Sequence, residues 1–375
     1  MNILILTHSF PDSTHEWRGV FVREQARATG KIHNVVVVYF RADYNHFAPF
    51  AKYSFEKKAQ DNFTLFEVTV KKSFPVITQL KLLSNTFRFI KKEILSKEKP
   101  DIIHSHLSYP GGFLGTIIQK LTGIPNVLTE HSTLKLYNRS LIHTLCVKWT
   151  LKNSAGVISV SSSLKEEIAK IRNREIKVIP NIVDTGLFEI RRRTDRTKLN
   201  IGFLGGLNNT NKGLDILIQA CSKIESGTFN LHIGGAGKLA DQYKALAKEH
   251  GIEGSCIFHG EISRSRIADF YSNLDIFVLP SRYETFGIVL IEAMACGVPV
   301  IATKCGGPMD IVTESTGVLI GKDNPDELAD AITRMADNLK FYNCDIIRNY
   351  AHENFGEEMV AEQLTGFYKD ILALK

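Results

Sequence analysis

Short runs rich in Val, Ile and Leu recur along the chain and alternate with longer stretches in which apolar residues return every three or four positions. The first set of runs is Ile3 to Thr7, Val35 to Tyr39, Ile102 to His104, Asn126 to Thr129 and Val157 to Val160. The pattern restarts with Leu199 to Leu204, Asn230 to Ile233, Cys256 to His259, Ile276 to Leu279 and Val298 to Ala302. Such runs, bounded by turn residues and separated by amphipathic segments, predict buried parallel strands covered by helices. Because the series occurs twice, it predicts two such sheets.

The predicted class is α/β, with two Rossmann-like domains. The 375 residues suit two domains of similar size. The segment Val178 to Asp184, interrupted by Pro180, and the polar stretch Arg191 to Lys198 look like the junction. We therefore expect an N-terminal domain over 1–186 and a C-terminal domain over 187–356. A last helical segment, 357–375, would pack back on the first domain.

Composition narrows the class of molecule. With 44% hydrophobic and 23% charged residues, the chain has the balance of a soluble globular protein, which argues against disorder. Its six cysteines are scattered with no CxxC pair, so a reduced, cytoplasmic setting is expected. The apolar start Met1 to Leu6 has no basic segment before it and reads as a strand rather than a leader. No apolar run reaches the roughly 20 residues of a membrane span. Charge is uneven: residues 1–190 carry 26 Lys and Arg against 16 Asp and Glu, a net of +10, within a total of +6.

The segment Pro280 to Ala302 carries the most specific chemistry. It reads as strand end, loop, helix, turn and strand, with Glu284 before the helix and Glu292 inside it. A helix beginning near Gly287 would offer free N–H groups and a positive dipole end to a diphosphate. Two carboxylates nearby can accept hydrogen bonds from vicinal hydroxyls, which sugars supply. Two unspecified glutamates are ordinarily just solvated surface. Glu292, however, sits in the otherwise apolar stretch Ile288 to Ala295, where an unsatisfied charge is costly.

Glu284-Thr-Phe-Gly-Ile-Val-Leu-Ile-Glu292, followed by Ala293 to Thr303 and Gly306-Gly-Pro308, resembles the E-x7-E region of the retaining GT-B glycosyltransferases of family 4. The resemblance implies a GT-B fold with parallel sheets facing a central cleft. It implies that Glu284 contacts donor-sugar hydroxyls and Glu292 the ribose, while the backbone at Phe286, Gly287 and Ile288 lines the sugar and diphosphate. The Gly-rich turn Ile201 to Gly213 contributes Gly205, Gly206 and Lys212. Alone it would be a plain strand-to-helix turn; in this context Lys212 supplies charge to the leaving diphosphate. Many family members carry Arg at the position of Gly206, which leaves Lys212 as the evident side-chain cation.

Further positions follow the same resemblance. Gly19, after the first strand, is similar to the glycine whose backbone approaches the donor phosphate. His131, in Val127 to Thr133, corresponds to a histidine facing the donor sugar, although a lone histidine is more often structural. His104 and His106 end the preceding strand and are candidates for the acceptor. The segment around Gly260 and Ile262 resembles the place where the nucleobase is read through backbone groups.

The expected activity is therefore retaining transfer of a sugar from a nucleotide-sugar, a UDP-sugar ahead of a GDP-sugar, to a glycan or lipid-linked acceptor in surface-polysaccharide or glycoconjugate synthesis. His131, Glu284 and Lys212 are the candidate catalytic residues, and no metal or cofactor is expected. The alternatives are a nucleotide-sugar epimerase of the same fold and a nucleotide-sugar-binding module without turnover. Lys71, Lys72, Lys81, Arg88, Lys91, Lys92, Lys97 and Lys99 interleave with apolar residues at helical spacing. That combination suggests peripheral attachment to an anionic membrane surface, against the alternative of a helix packed on its own sheet. Nucleic-acid motifs are absent.

Overall fold

The computed structural model describes residues 1–12, 15–48, 53–137, 140–188 and 197–374. The expected arginine-rich junction at 191–196 lies outside the described residues. The chain divides into two compact units, Met1–Asn181 with Glu358–Lys375, and Ile182–Glu357. The division thus follows Asn181 and not residue 186. The backbone gives the reason: Val183 donates to the Phe355 carbonyl (2.9 Å) and Arg348 donates to that of Phe188, which fastens 182–188 to the second unit.

The first unit is built on β1 (Asn2–Thr7), β2 (Asn34–Phe47), β3 (Ser54–Ala59), β4 (Thr64–Lys72), β5 (Ile102–His106), β6 (Asn126–Glu130), β7 (Gly156–Ser159) and β8 (Lys177–Val178). Their order is β3-β4-β2-β1-β5-β6-β7-β8. Among the strand pairings of this sheet, that of β3 with β4 is antiparallel and the others are parallel. β1, β5, β6 and β7 are buried almost throughout, as expected of strands covered on both faces. Polar residues within them are matched: the Ser105 hydroxyl donates to Asn126 Oδ1, whose amide in turn donates to Thr116 Oγ1.

The basic segment 71–99 forms a helix, Pro75–Phe89, continued by a wider turn over Ile90–Leu95. Leu82, Phe89, Ile90 and Ile94 from it enter the core with Leu4, Leu6, Val38 and Phe40. Its inward side is thus spent on its own sheet, while Phe74, Ile77 and Leu80 stay exposed. The last helix, Glu357–Ala373, belongs to the first unit from Glu358 onward. Gly156 makes room for it, since a Cβ there would lie 2.8 Å from the Phe367 ring. No helix among the described residues is long and apolar enough to cross a membrane.

The second unit contains β9 (Leu199–Leu204), β10 (Phe229–Gly234), β11 (Cys256–Gly260), β12 (Ile276–Leu279), β13 (Val300–Thr303) and β14 (Gly317–Ile320). They form one parallel sheet in the order β11-β10-β9-β12-β13-β14. Chain order reverses direction between β9 and β12. In such sheets the crevice outside the carboxyl ends of the strands at that switch is the favoured ligand position.

Candidate functional site

Three loops meet at the carboxyl edge of the second sheet. Gly213 (φ 72°) opens the helix Leu214–Cys221, and a Cβ there would lie 2.0 Å from the Pro280 carbonyl oxygen. Glycine therefore lets the loop after β9 press directly on the loop after β12. The two are then clamped: the Arg282 amide donates to Asn211 O (2.8 Å), and Asn211 Nδ2 donates to Tyr283 O (2.9 Å). The Arg282 guanidinium grips Asp215 through two bonds of 3.0 and 2.7 Å. Lys212 and Glu284 consequently meet, Nζ to Oε2, at 2.5 Å.

Glu284 is fixed from the other side by the loop after β13. Its amide donates to Cys305 O (3.2 Å), and its carbonyl accepts from the Gly307 amide (2.9 Å). A Cβ at Gly307 would lie 2.3 Å from Phe286 Cα, so the Gly306-Gly307-Pro308 turn fits only with glycine there. Phe286 is itself an anchor, buried edge-on against Phe355. Gly287 (φ 105°) then starts the helix Ile288–Ala295 with no side-chain cap. No side chain therefore caps the first amides of that helix, which lie at the positive end of its dipole.

Glu292 lies within that helix and is 6% exposed. Its Oε2 accepts from the hydroxyl of fully buried Tyr271 at 2.8 Å. Burial and the adjacent carboxylate hold the Tyr271 hydroxyl far above its ordinary pKa, so it remains a donor. Across the sheet, the Gly205 amide donates to Gly234 O (3.1 Å) and the Gly235 amide to Gly260 O (2.7 Å). Ile262 covers Gly234, where a Cβ would lie 2.6 Å from its Cδ1. Gly206 has open space where a Cβ would point. The structure thus gathers Gly205, Gly206, Lys212, Gly260, Ile262, Glu284, Phe286, Gly287, Ile288 and Glu292 along one edge.

The remaining candidates belong to the first unit. Gly19 (φ 65°) opens the helix Val20–Gly30, and a Cβ there would lie 2.2 Å from Ser9 O. His131 Nε2 meets His106 Nδ1 at 3.0 Å, and Phe21 lies over the His131 ring. His104 is held between Thr129 Oγ1 (2.7 Å) and the Tyr368 hydroxyl (2.6 Å). Burial keeps these imidazoles neutral, with His104 and His131 pushed down to about 3 and His106 well below its ordinary value. The expected acceptor contact through His104 and His106 is therefore corrected: both side chains are completely buried. They support the His131 loop from below.

Glu130 was not identified in the sequence. Its buried carboxylate accepts from the amides of Ser108 (2.8 Å), His131 (2.9 Å) and Ser132 (2.9 Å) and from the Ser108 hydroxyl (2.5 Å). It fixes two loops at once, and only its place beside His131 hinted at a role. Those loops help to line a cavity of about 930 Å³ that also reaches His8, Arg18, Arg41, Tyr44 and Tyr109.

Residues 19–187 match the family described as Glycosyltransferase Family 4, and residues 189–352 that described as Glycosyl transferases group 1. An uncharacterised glycosyltransferase of Methanocaldococcus jannaschii is 31% identical over 288 residues, covering 76% of this chain and 78% of the relative. The putative teichuronic acid biosynthesis glycosyltransferase TuaC of Bacillus subtilis is 28% identical over 97% of this chain and 92% of its own length. Among solved structures, Anabaena Alr3699/HepE in complex with UDP and glucose has a similar fold. Its TM-score is 0.75 at 20% identity, covering 99% of this chain and 100% of that one.

Proposed function

The chain belongs to the group 1 glycosyltransferases of the GT-B fold, and from that premise we propose that it moves a sugar from a UDP-sugar to a glycan or lipid-linked acceptor with retention of anomeric configuration. The observation that carries this reading is the pairing of Lys212 with Glu284 immediately before the uncapped helix at Gly287, with Glu292 held by Tyr271 inside that helix. In this reading the helix amides and Lys212 receive the diphosphate, Glu284 the sugar hydroxyls and Glu292 the ribose. Gly205, Gly206, Gly260 and Ile262 bound the nucleobase and diphosphate through backbone groups, and Gly19 approaches the phosphate. His131, neutral through burial, presents its loop to the sugar without placing a second cation there.

The bond from the anomeric carbon to the diphosphate oxygen breaks on the face where the acceptor oxygen attacks. The acceptor proton passes to the departing diphosphate. No enzymic carboxylate need become covalently attached, in contrast to retaining glycosidases. Lys212 and the helix end stabilise charge as it accumulates on the leaving group, so no metal is required. The resemblance to a putative teichuronic acid biosynthesis glycosyltransferase supports an acceptor in surface-polysaccharide synthesis.

The test follows nucleotide release from a panel of nucleotide-sugars, with and without membrane extract as acceptor and with and without EDTA. Acceptor-dependent, EDTA-insensitive release of UDP is expected. Isomerisation of the donor with no acceptor dependence would support the epimerase alternative instead.

A further inference from the structure

The helix Leu141–Asn153 is firmly held at both ends and left open along one side. The Ser140 hydroxyl accepts from the His143 amide at its start (3.2 Å). At its end the buried Arg172 guanidinium donates to the carbonyls of Leu151 (2.6 Å) and Ser154 (3.0 Å). Val147, Thr150 and Leu151 turn inward. The exposed positions are Leu141, Ile142, Leu145, Lys148, Trp149 and Lys152, whose spacing makes one continuous stripe. Leu141 and Ile142 are 74% and 73% exposed. An ordinary surface helix turns charged residues outward; this one turns aliphatic residues outward and then Lys-Trp and Lys.

The surroundings identify the chemistry of what covers it. The helix contains no Asp or Glu. Beside it lies a pocket of about 360 Å³ in which Lys135, Lys148 and Lys170 accompany Leu134, Val147 and Ile171. The one carboxylate there, Glu167, already accepts from the Thr133 hydroxyl (3.1 Å) and the Leu134 amide (3.1 Å). A second copy of the chain docked on this stripe would add two more lysines to Lys148 and Lys152 and bring no acidic residue of the helix to offset them. An anionic lipid surface matches both halves of the stripe: apolar residues for the boundary between headgroups and acyl chains, cations for the phosphates.

We propose that the protein lies on an anionic bilayer through Leu141, Ile142, Leu145 and Trp149, with Lys148 and Lys152 against lipid phosphates and the lysine-rimmed pocket receiving one headgroup. This surface is distinct from segment 71–99, where Leu82, Phe89, Ile90 and Ile94 serve the core while Phe74, Ile77 and Leu80 stay exposed. The inference rests on the proposed reading only in its membrane-associated part and stands on the first unit alone.

The test uses the full-length protein with vesicles of phosphatidylcholine, alone or containing phosphatidylglycerol. Flotation is measured together with quenching of Trp149 by brominated lipid in a Trp17→Phe background. Salt-sensitive flotation on the anionic vesicles and quenching of Trp149 are expected. Lys148→Gln with Lys152→Gln should lower partitioning on the order of 30-fold, the product of a roughly fivefold contribution per basic residue near an anionic surface. Leu141→Ser, Ile142→Ser and Leu145→Ser together should abolish quenching. All these positions are exposed, and circular dichroism checks that each variant is folded. Wild-type protein that fails to float, flotation that survives both sets of changes, or a dimer in sedimentation that the serine variant dissolves would overturn the proposal. UDP affinity measured on the same variants separates the two readings, because it should remain unchanged while flotation is lost.

Discussion

Replacing Tyr271 by Phe removes one oxygen from the candidate donor site and little else. The Tyr271 ring packs against Phe188, Phe270 and Phe277 at centroid distances of 6.0, 5.6 and 5.4 Å, and Phe preserves that shape. What is lost is the 2.8 Å bond to Glu292. Hydrogen bonds to a charged group contribute about 1.5–3 kcal/mol. Because Glu292 retains a little exposure and water can partly replace the hydroxyl, the lower end, about 1.5 kcal/mol, applies. In a unit of this size such a loss lowers the midpoint of thermal unfolding by about 3–6 °C. If Glu292 holds the ribose, loss of its orientation should also weaken UDP by up to about tenfold, while pyrophosphate, which has no ribose, binds as before. Calorimetric titration of both ligands and scanning calorimetry of the variant measure these quantities. Lower stability with unchanged UDP affinity would refute the ribose assignment, and equal weakening of pyrophosphate would show that the whole edge had moved.

Other positions give independent checks. Glu284→Ala should abolish acceptor-dependent transfer while leaving UDP affinity within a few-fold, as measured by turnover and titration; a comparable loss of UDP affinity would contradict a sugar contact. Gly206→Arg meets no neighbour at its Cβ and should leave unfolding unchanged while tightening UDP several-fold through a charge-assisted bond to phosphate; unaltered UDP affinity would place Gly206 away from the diphosphate. Stability should also fall in acid. His8 is pushed down to about 4, and His104 and His131 to about 3, by burial, with Arg18 adding to the effect at His8. The unfolded chain takes up protons near pH 6.5 that the folded chain refuses. Stability is therefore complete above that value and declines by about 1.4 kcal/mol per pH unit for each such histidine between about pH 6 and pH 4. Denaturant titrations across that range would show it, and a flat profile would contradict the buried neutral state.

The sequence exposed what is local. The strand runs were visible because parallel strands buried on both faces are apolar along their length. Glu284, Gly287 and Glu292 were visible because loop, helix start and buried carboxylate fall within one short segment. Partners distant in sequence were not visible. Tyr271 reaches Glu292 from the preceding helix, Arg282 joins Asp215 from another loop, and Glu130 binds Ser108 from a neighbouring strand. Nothing in the spacing of these residues encodes the contact. His104 and His106 were misread for a related reason. Their place at the end of β5 made a ligand contact plausible, yet Thr129 and Tyr368 hold both ring nitrogens of His104, and His131 holds Nδ1 of His106. The open stripe on Leu141–Asn153 was equally hidden, because its apolar composition reads as core until packing shows which side stays uncovered.

The central claim is retaining transfer from a UDP-sugar bound at Glu284 and Glu292. Its most direct test supplies UDP-sugar labelled with carbon-13 at the anomeric carbon together with membrane acceptor and follows the label by NMR. The account predicts that the label appears in the acceptor product with the anomeric configuration of the donor, in step with UDP release, and that Glu284→Ala abolishes both. Label appearing with inverted configuration, or recovered only in an isomerised nucleotide-sugar, would contradict it.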